Sequence, residues 1–165
     1  MKNIIRNIIA LLFLFPLILV IYVTTVFFGK NNAIRFWGPV GTFISKQTVR
    51  FLVPNIMNPQ EFDAFPKGIK HNLRYWKILY DYKIKEETEN TFKLNMLNCP
   101  FCEVLNRAGL SDLNGYICEG DWAYARENKD KWLFERKYQI GTGDAICDHT
   151  YKRIKHASRN IDKVN

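Results

Sequence analysis

Residues 132–154 read WLFERKYQIGTGDAICDHTYKRI. Trp132, Phe134, Arg136 and Tyr138 share one face of an extended chain and Leu133 the other, because successive strand side chains alternate. Gly141, Thr142, Gly143 and Asp144 form a turn signal, and Ile146 to Ile154 begins a second strand. The segment therefore predicts a β-hairpin, and with it antiparallel pairing. Upstream, Thr91 to Leu97 places Phe92, Leu94 and Met96 on one face, the pattern of a half-buried strand. Between these strands, Asn98 can cap a helix that starts at Cys99 and Pro100 and ends at Gly109. Ser111 can cap a second helix, carrying Leu113, Ile117, Cys118, Asp121 and Trp122 toward Arg126, although Gly115 and Gly120 weaken it. His71 to Tyr82 is compatible with a helix or a strand. The fold class expected is α+β, with an antiparallel sheet and packed helices.

The N-terminal part differs in kind. No charged residue occurs from Ile8 to Phe28, and a helix of that length spans about 30 Å of hydrocarbon. Lys2 and Arg6 resemble the positive region of a signal peptide, but the apolar run is long and no small-residue cleavage site follows it, so an uncleaved transmembrane helix is expected. Pro16 would kink it, which bilayers tolerate. Phe36 and Trp37 suit a headgroup region. Val40 to Val53 reads either as an interfacial helix or as a helix packed on the folded domain. Pro54, Pro59 and Pro66 mark an irregular stretch. The expected organisation is an anchor at 1–30, a juxtamembrane or linker segment at 31–66, a folded domain at 67–156 and a basic tail at 157–165. Basic residues on both sides of the apolar run leave its orientation open.

The formal charge of +8 is spread along the chain, with a concentration at Lys152, Arg153, Lys155, Arg159 and Lys163. No base-stacking motif or helix-turn-helix pattern accompanies it, so nucleic acid is not an expected partner. Membrane lipid is, given the apolar N-terminus. His71 and His156 have no partners in sequence.

Four cysteines, Cys99, Cys102, Cys118 and Cys147, occur in the C-terminal part of the chain and fit disulfides, a metal site or reactive thiols. The CPFC run of Cys99 to Cys102 resembles a glutaredoxin dithiol. Pro100 is however the last proline of the chain, and a thioredoxin-like fold needs one downstream. Cys118 and Asp121, three apart, occupy one face of a helix and can point at one ligand. Cys99, Cys102, Cys147 and His149 together offer enough thiolate and imidazole ligands for tetrahedral zinc. Arg136 has the planar fork of a carboxylate clamp, against the alternative of a surface ion pair with Glu135 or Asp144.

Cys99, the GYICEGD segment from Gly115 to Asp121, Arg136, and GDAICD from Gly143 to Asp148 occur in the order and spacing of one family. In these residues the chain resembles the L-2-amino-thiazoline-4-carboxylic acid hydrolases, over about residues 67 to 154. The resemblance implies hydrolysis of a ring C–S bond, opening L-2-amino-thiazoline-4-carboxylate to N-carbamoyl-L-cysteine, with a small molecule as substrate. It implies Asp121 as general base or amidine binder, Cys118 or Cys147 as nucleophile or metal ligand, Arg136 as carboxylate clamp, and Gly143 and Asp144 shaping the turn at the substrate. It requires no cofactor; zinc enters only through the cysteine and histidine set. Family precedent and reactive thiols favour a single-pass membrane protein with its domain in the cytoplasm, with the N-terminus inside and the domain outside as the alternative. Gln139 and His149 depart from the family pattern, where threonine and an aromatic are expected, and Cys102 is an additional thiol. The end of the chain is also similar to the 4-vinyl reductase domain, which gives a non-catalytic small-molecule or zinc-binding module as the alternative. A structural membrane protein stapled by disulfides is a third reading.

Overall fold

The computed structural model describes residues 2–154. The apolar run forms one helix, α1 (Lys2–Phe28), with Pro16 inside it. Gly29 takes φ 77°, a backbone conformation that glycine adopts without steric penalty, and the chain continues into α2 (Lys30–Leu52). A 3-10 turn at Pro59–Asp63 leads to α3 (Phe65–Trp76), whose Pro66 sits in its first turn. Strands β1 (Tyr82–Glu87) and β2 (Thr91–Met96) follow, then α4 (Pro100–Arg107), a 3-10 turn at Ser111–Leu113 and α5 (Asn114–Glu127). Strands β3 (Trp132–Glu135) and β4 (Cys147–Arg153) close the fold. The sheet order is β1-β2-β4-β3 and every pairing is antiparallel. The α+β architecture and the C-terminal hairpin are as the sequence predicts.

Local details differ for identifiable reasons. β3 ends at Glu135, because the carboxylate of Asp148 takes the next backbone amides: Lys137 N and Tyr138 N donate to its Oδ1 at 2.9 and 2.6 Å. Asn98 does not cap α4. Its Oδ1 accepts from Asp81 N at 2.5 Å and its Nδ2 donates to the carbonyl of Leu79 at 3.0 Å, so it holds the start of β1 instead. Ser111 makes no side-chain cap and opens the 3-10 turn ahead of α5. The ambiguous segment from His71 splits between the end of α3 and the start of β1. Lys155, His156 and the basic tail with Arg159 and Lys163 lie outside the described residues.

The sheet packs one face on α3. Phe65 stacks on Phe62 at a ring separation of 5.3 Å and meets Tyr151 at 5.2 Å and Trp132 at 5.6 Å, all fully or nearly fully buried. A second core joins α1, α2, α4 and α5 through Leu14, Leu17, Ile21, Ile34, Leu105 and Ile117.

Within the stretch 31–66, α2 packs on α5, as one reading of Val40 to Val53 expects. Glycine permits the close approach: a Cβ on Gly120 would sit 2.8 Å from the backbone nitrogen of Lys46, and one on Gly41 would meet Ile117. The glycines that weaken α5 as an isolated helix thus let it nest against α2.

α1 is long and apolar enough to cross a membrane, the one such helix among the described residues. It also lies against the rest of the fold along its length. Near its start Arg6 Nη2 bonds Asp81 Oδ2 at 2.7 Å, and near its end Trp37 Nε1 donates to Thr24 Oγ1 at 2.9 Å, while Tyr22 donates to the carbonyl of Ala108. Its outer face, with Leu12, Phe15, Val26 and Phe27, is exposed.

Candidate active site

One face of α5 and one face of β4 meet over a cavity. Cys118 and Asp121, one helical turn apart, both line it, as their spacing predicts. Cys147 and His149 also line it, two residues apart and therefore on one face of β4. Register fixes their height, since Cys147 pairs with Met96 and His149 with Leu94. Cys99, Asn98 and Tyr80, with Ser45 and Thr48 of α2, complete the polar lining. The sheet and the helix thus bring together Cys99, Cys118, Asp121, Cys147 and His149.

Arg136 stands behind this surface. Its side chain is 1 % exposed and its Nη1 bonds Asp121 Oδ2 at 2.6 Å. Its Nη2 donates to the carbonyl of Cys118 at 3.0 Å and also to Gln139. The guanidinium is therefore committed to α5 and to the turn after β3, and it does not pair with Glu135 or Asp144. Glu135 pairs with Lys152, and Asp144 Oδ2 accepts from Gln139 N at 2.7 Å. Gln139, a departure from the family pattern, thus fills a structural place beside the arginine. Gly143, with φ 105°, and Asp144 are exposed in the turn and do not line the cavity.

The thiols are not equivalent. Hydrogen bonding from Cys102 lowers the pKa of Cys118 against the opposing effects of burial and of the Asp121 carboxylate, with Arg136 and the Gly141 amide also favouring the thiolate. Gly141 packs directly on that sulfur, where a side chain would not fit. Cys102 is correspondingly pushed up, first by its hydrogen bond to Cys118 and next by that to Cys99. Burial drives Cys147 up to about 12, although Ile140 N donates to its sulfur at 3.2 Å. The two thiols of the cavity therefore differ in proton affinity, lowered at Cys118 and raised at Cys147.

His149 is the residue whose role the sequence understates. Its Nε2 lies 3.7 Å from Asp121 Oδ2, and neither ring nitrogen has a hydrogen-bond partner among the described residues. Burial lowers its pKa, against the opposing pull of the Asp121 carboxylate, and so favours the neutral ring. Its position two residues after Cys147 is the sequence signal that puts both on one face. Tyr80, whose pKa burial raises, carries no such signal.

All four cysteines are free. Among the described residues no three of histidine, cysteine, aspartate and glutamate lie where they could hold a metal ion. The set Cys99, Cys102, Cys147 and His149 is accordingly not assembled as a zinc site: Cys102 turns to Cys118 and Cys99, and Cys147 to Ile140 N.

Against this geometry, the sequence profile of the L-2-amino-thiazoline-4-carboxylic acid hydrolases matches residues 27–151. The chain belongs to the L-2-amino-thiazoline-4-carboxylic acid hydrolase family. No curated protein matches it. The hydrolase match runs from the last residues of α1 through β4, so it includes α2 and every polar residue of the cavity and leaves most of α1 outside.

Proposed function

We propose that this member of the family is a membrane-attached, thiol-dependent hydrolase that opens the C–S bond of a cyclic amidine. The observation that carries the reading is the convergence of an activated thiol, Cys118, with Asp121 and a neutral His149 on one cavity. In this mechanism His149 takes the Cys118 proton, and the sulfur bonds the amidine carbon while the ring C–S bond breaks. The departing ring sulfur receives that proton and leaves as a thiol. Water then adds to the same carbon, Cys118 is expelled, and it regains a proton from the water by way of His149. Asp121, fixed by Arg136, binds the amidine nitrogens and stabilises the imidazolium. Arg136 acts as a positioning residue through Asp121. This replaces the carboxylate clamp that the sequence suggests, since its donors are already engaged.

α1 supplies the attachment. A helix that crossed the bilayer alone would leave its contacts with Asp81, Ala108 and Trp37, whereas one docked on the fold keeps them and still offers lipid its exposed apolar face. The free thiols suit a reducing compartment, which favours the cytoplasmic side.

The test is release of free thiol from unsubstituted 2-amino-2-thiazoline by the full chain in lipid nanodiscs, with Cys118→Ser as control. Turnover that disappears in the variant is expected. No thiol release at high enzyme concentration, or release unchanged in the variant, rejects the proposal.

A further inference from the structure

The ionisable residues of the cavity wall come from α5, β4 and the segments around Tyr80 and Cys99. Apart from the hydroxyls of Ser45 and Thr48 on α2, the rest of its wall is apolar, with Phe13, Leu14, Ile44, Trp76, Met96 and Phe101 among its residues. Among the described residues no lysine or arginine lines it, and Arg136 is turned to Asp121. An ionised carboxylate transferred from water into such surroundings loses its hydration and finds no cation, a large penalty. The cavity therefore disfavours the amino-acid-like substrate that the family's description names.

Two of the apolar walls have a particular origin. Phe13 and Leu14 belong to α1, upstream of the matched residues 27–151. The helix outside the family match thus helps shape the binding cavity. Phe13 is also 55 % exposed, so the cavity reaches the surface beside it. That surface is the apolar outer face of α1; α2 exposes Phe36, Val40 and Phe43 as well. An exposed apolar patch of this extent marks a membrane or partner surface. The length and hydropathy of α1 select a membrane, since it is the one helix among the described residues long and apolar enough to cross one; the basic residues around it are mostly taken up inside the fold, Lys2 and Arg6 by Asp81, Lys30 by Asp112, and Lys46 and Arg50 by Glu127.

We propose that the ligand of this cavity is a lipid-soluble cyclic amidine with an apolar chain in place of the carboxylate, admitted from the bilayer beside Phe13. The identity of the reacting head rests on the hydrolase reading above; the apolar tail rests on the cavity wall. The chain would lie among Phe13, Ile44 and Phe101 and present the amidine to Cys118, Asp121 and His149.

Two probes separate these statements: an octyl-substituted 2-amino-2-thiazoline and 2-amino-thiazoline-4-carboxylate, each offered to the full chain in nanodiscs containing anionic lipid. Binding is followed by intrinsic tryptophan fluorescence and turnover by thiol release, with empty nanodiscs correcting for partition into lipid. The octyl compound is expected to bind at least about tenfold more tightly, given the transfer energy of buried methylenes. Thr48→Arg, which sets a cation in the cavity wall, should weaken the octyl compound by about tenfold, and Phe13→Gln should weaken it less; thermal melting checks that both variants fold. Equal or tighter binding of the carboxylate, or octyl binding indifferent to both substitutions, overturns the proposal. Octyl binding that both substitutions weaken, without thiol release, supports the ligand class and counts against the hydrolase reading. Preferential turnover of the carboxylate does the reverse.

Discussion

Arg136 Nη1 and Asp121 Oδ2 lie 2.6 Å apart, with the arginine side chain 1 % exposed and the aspartate 18 % exposed. This pair ties the turn after β3 to α5 and fixes one carboxylate oxygen at the edge of the cavity. Removing one partner strands the other charge. Asp121→Ala should therefore destabilise the chain by about 3 kcal/mol or more, read from its denaturant midpoint. Arg136→Lys keeps the charge but loses the fork, and should lower kcat more than it changes KM. An arginine that clamped substrate directly would show the opposite split.

Cys118 and Cys147 face the same cavity with opposite proton affinities, lowered in one and pushed up to about 12 in the other. Limited alkylation near neutral pH, followed by peptide mass analysis, should label Cys118 well before Cys147. Cys118→Ser should abolish thiol release, while Cys147→Ser should retain it within about tenfold. Equal labelling of the two would contradict the assignment.

The Cys102 thiol donates to Cys118 and is the first cause of its lowered pKa. Cys102→Ala removes that donor. The pH profile of Cys118 alkylation should then move to higher pH, while the circular dichroism spectrum keeps its native shape.

His149 carries a pKa below its ordinary 6.5 because it is buried. The unfolded chain therefore binds the proton more readily than the folded one. The stability this represents is present above pH about 6.5 and falls as pH drops through that value toward the folded-state pKa. Denaturant midpoints measured downward from pH 8 should decline below about pH 6.5, and the decline should be shallower in His149→Phe. Thiol release should weaken over the lower part of the same range as the folded ring protonates.

Gly120 marks the close crossing of α2 and α5. Gly120→Ala would drive a methyl against Ser45 and the backbone of Lys46, at a cost of about 1–3 kcal/mol. Alanine at Gly115, where nothing lies within 4 Å, should instead stabilise α5 by up to about 1 kcal/mol. Thermal melting of the two variants gives the comparison.

The alternation from Thr91 and from Trp132, the glycine turn at 141–143 and the boundaries near Pro100 and Gly109 were enough to define the α+β class and the hairpin. They are local features, governed by strand and helix periods and by backbone sterics, and the dispersed pattern around Cys118, Asp121, Arg136 and Cys147 carried the family. The helical reading of Cys118 and Asp121 likewise placed both on one face. Partner choice was another matter. Only the folded chain decides that Arg136 turns to Asp121 rather than to Glu135 or a ligand, that Cys102 turns to Cys118 rather than to a metal, and that His149 meets Asp121. Each of these pairs joins different elements, so its geometry depends on sheet register and helix packing. The same holds for α1: its apolar run shows that lipid is a tolerable environment, while its docking onto Asp81, Ala108 and Trp37 depends on surfaces that exist only after the rest of the chain has packed.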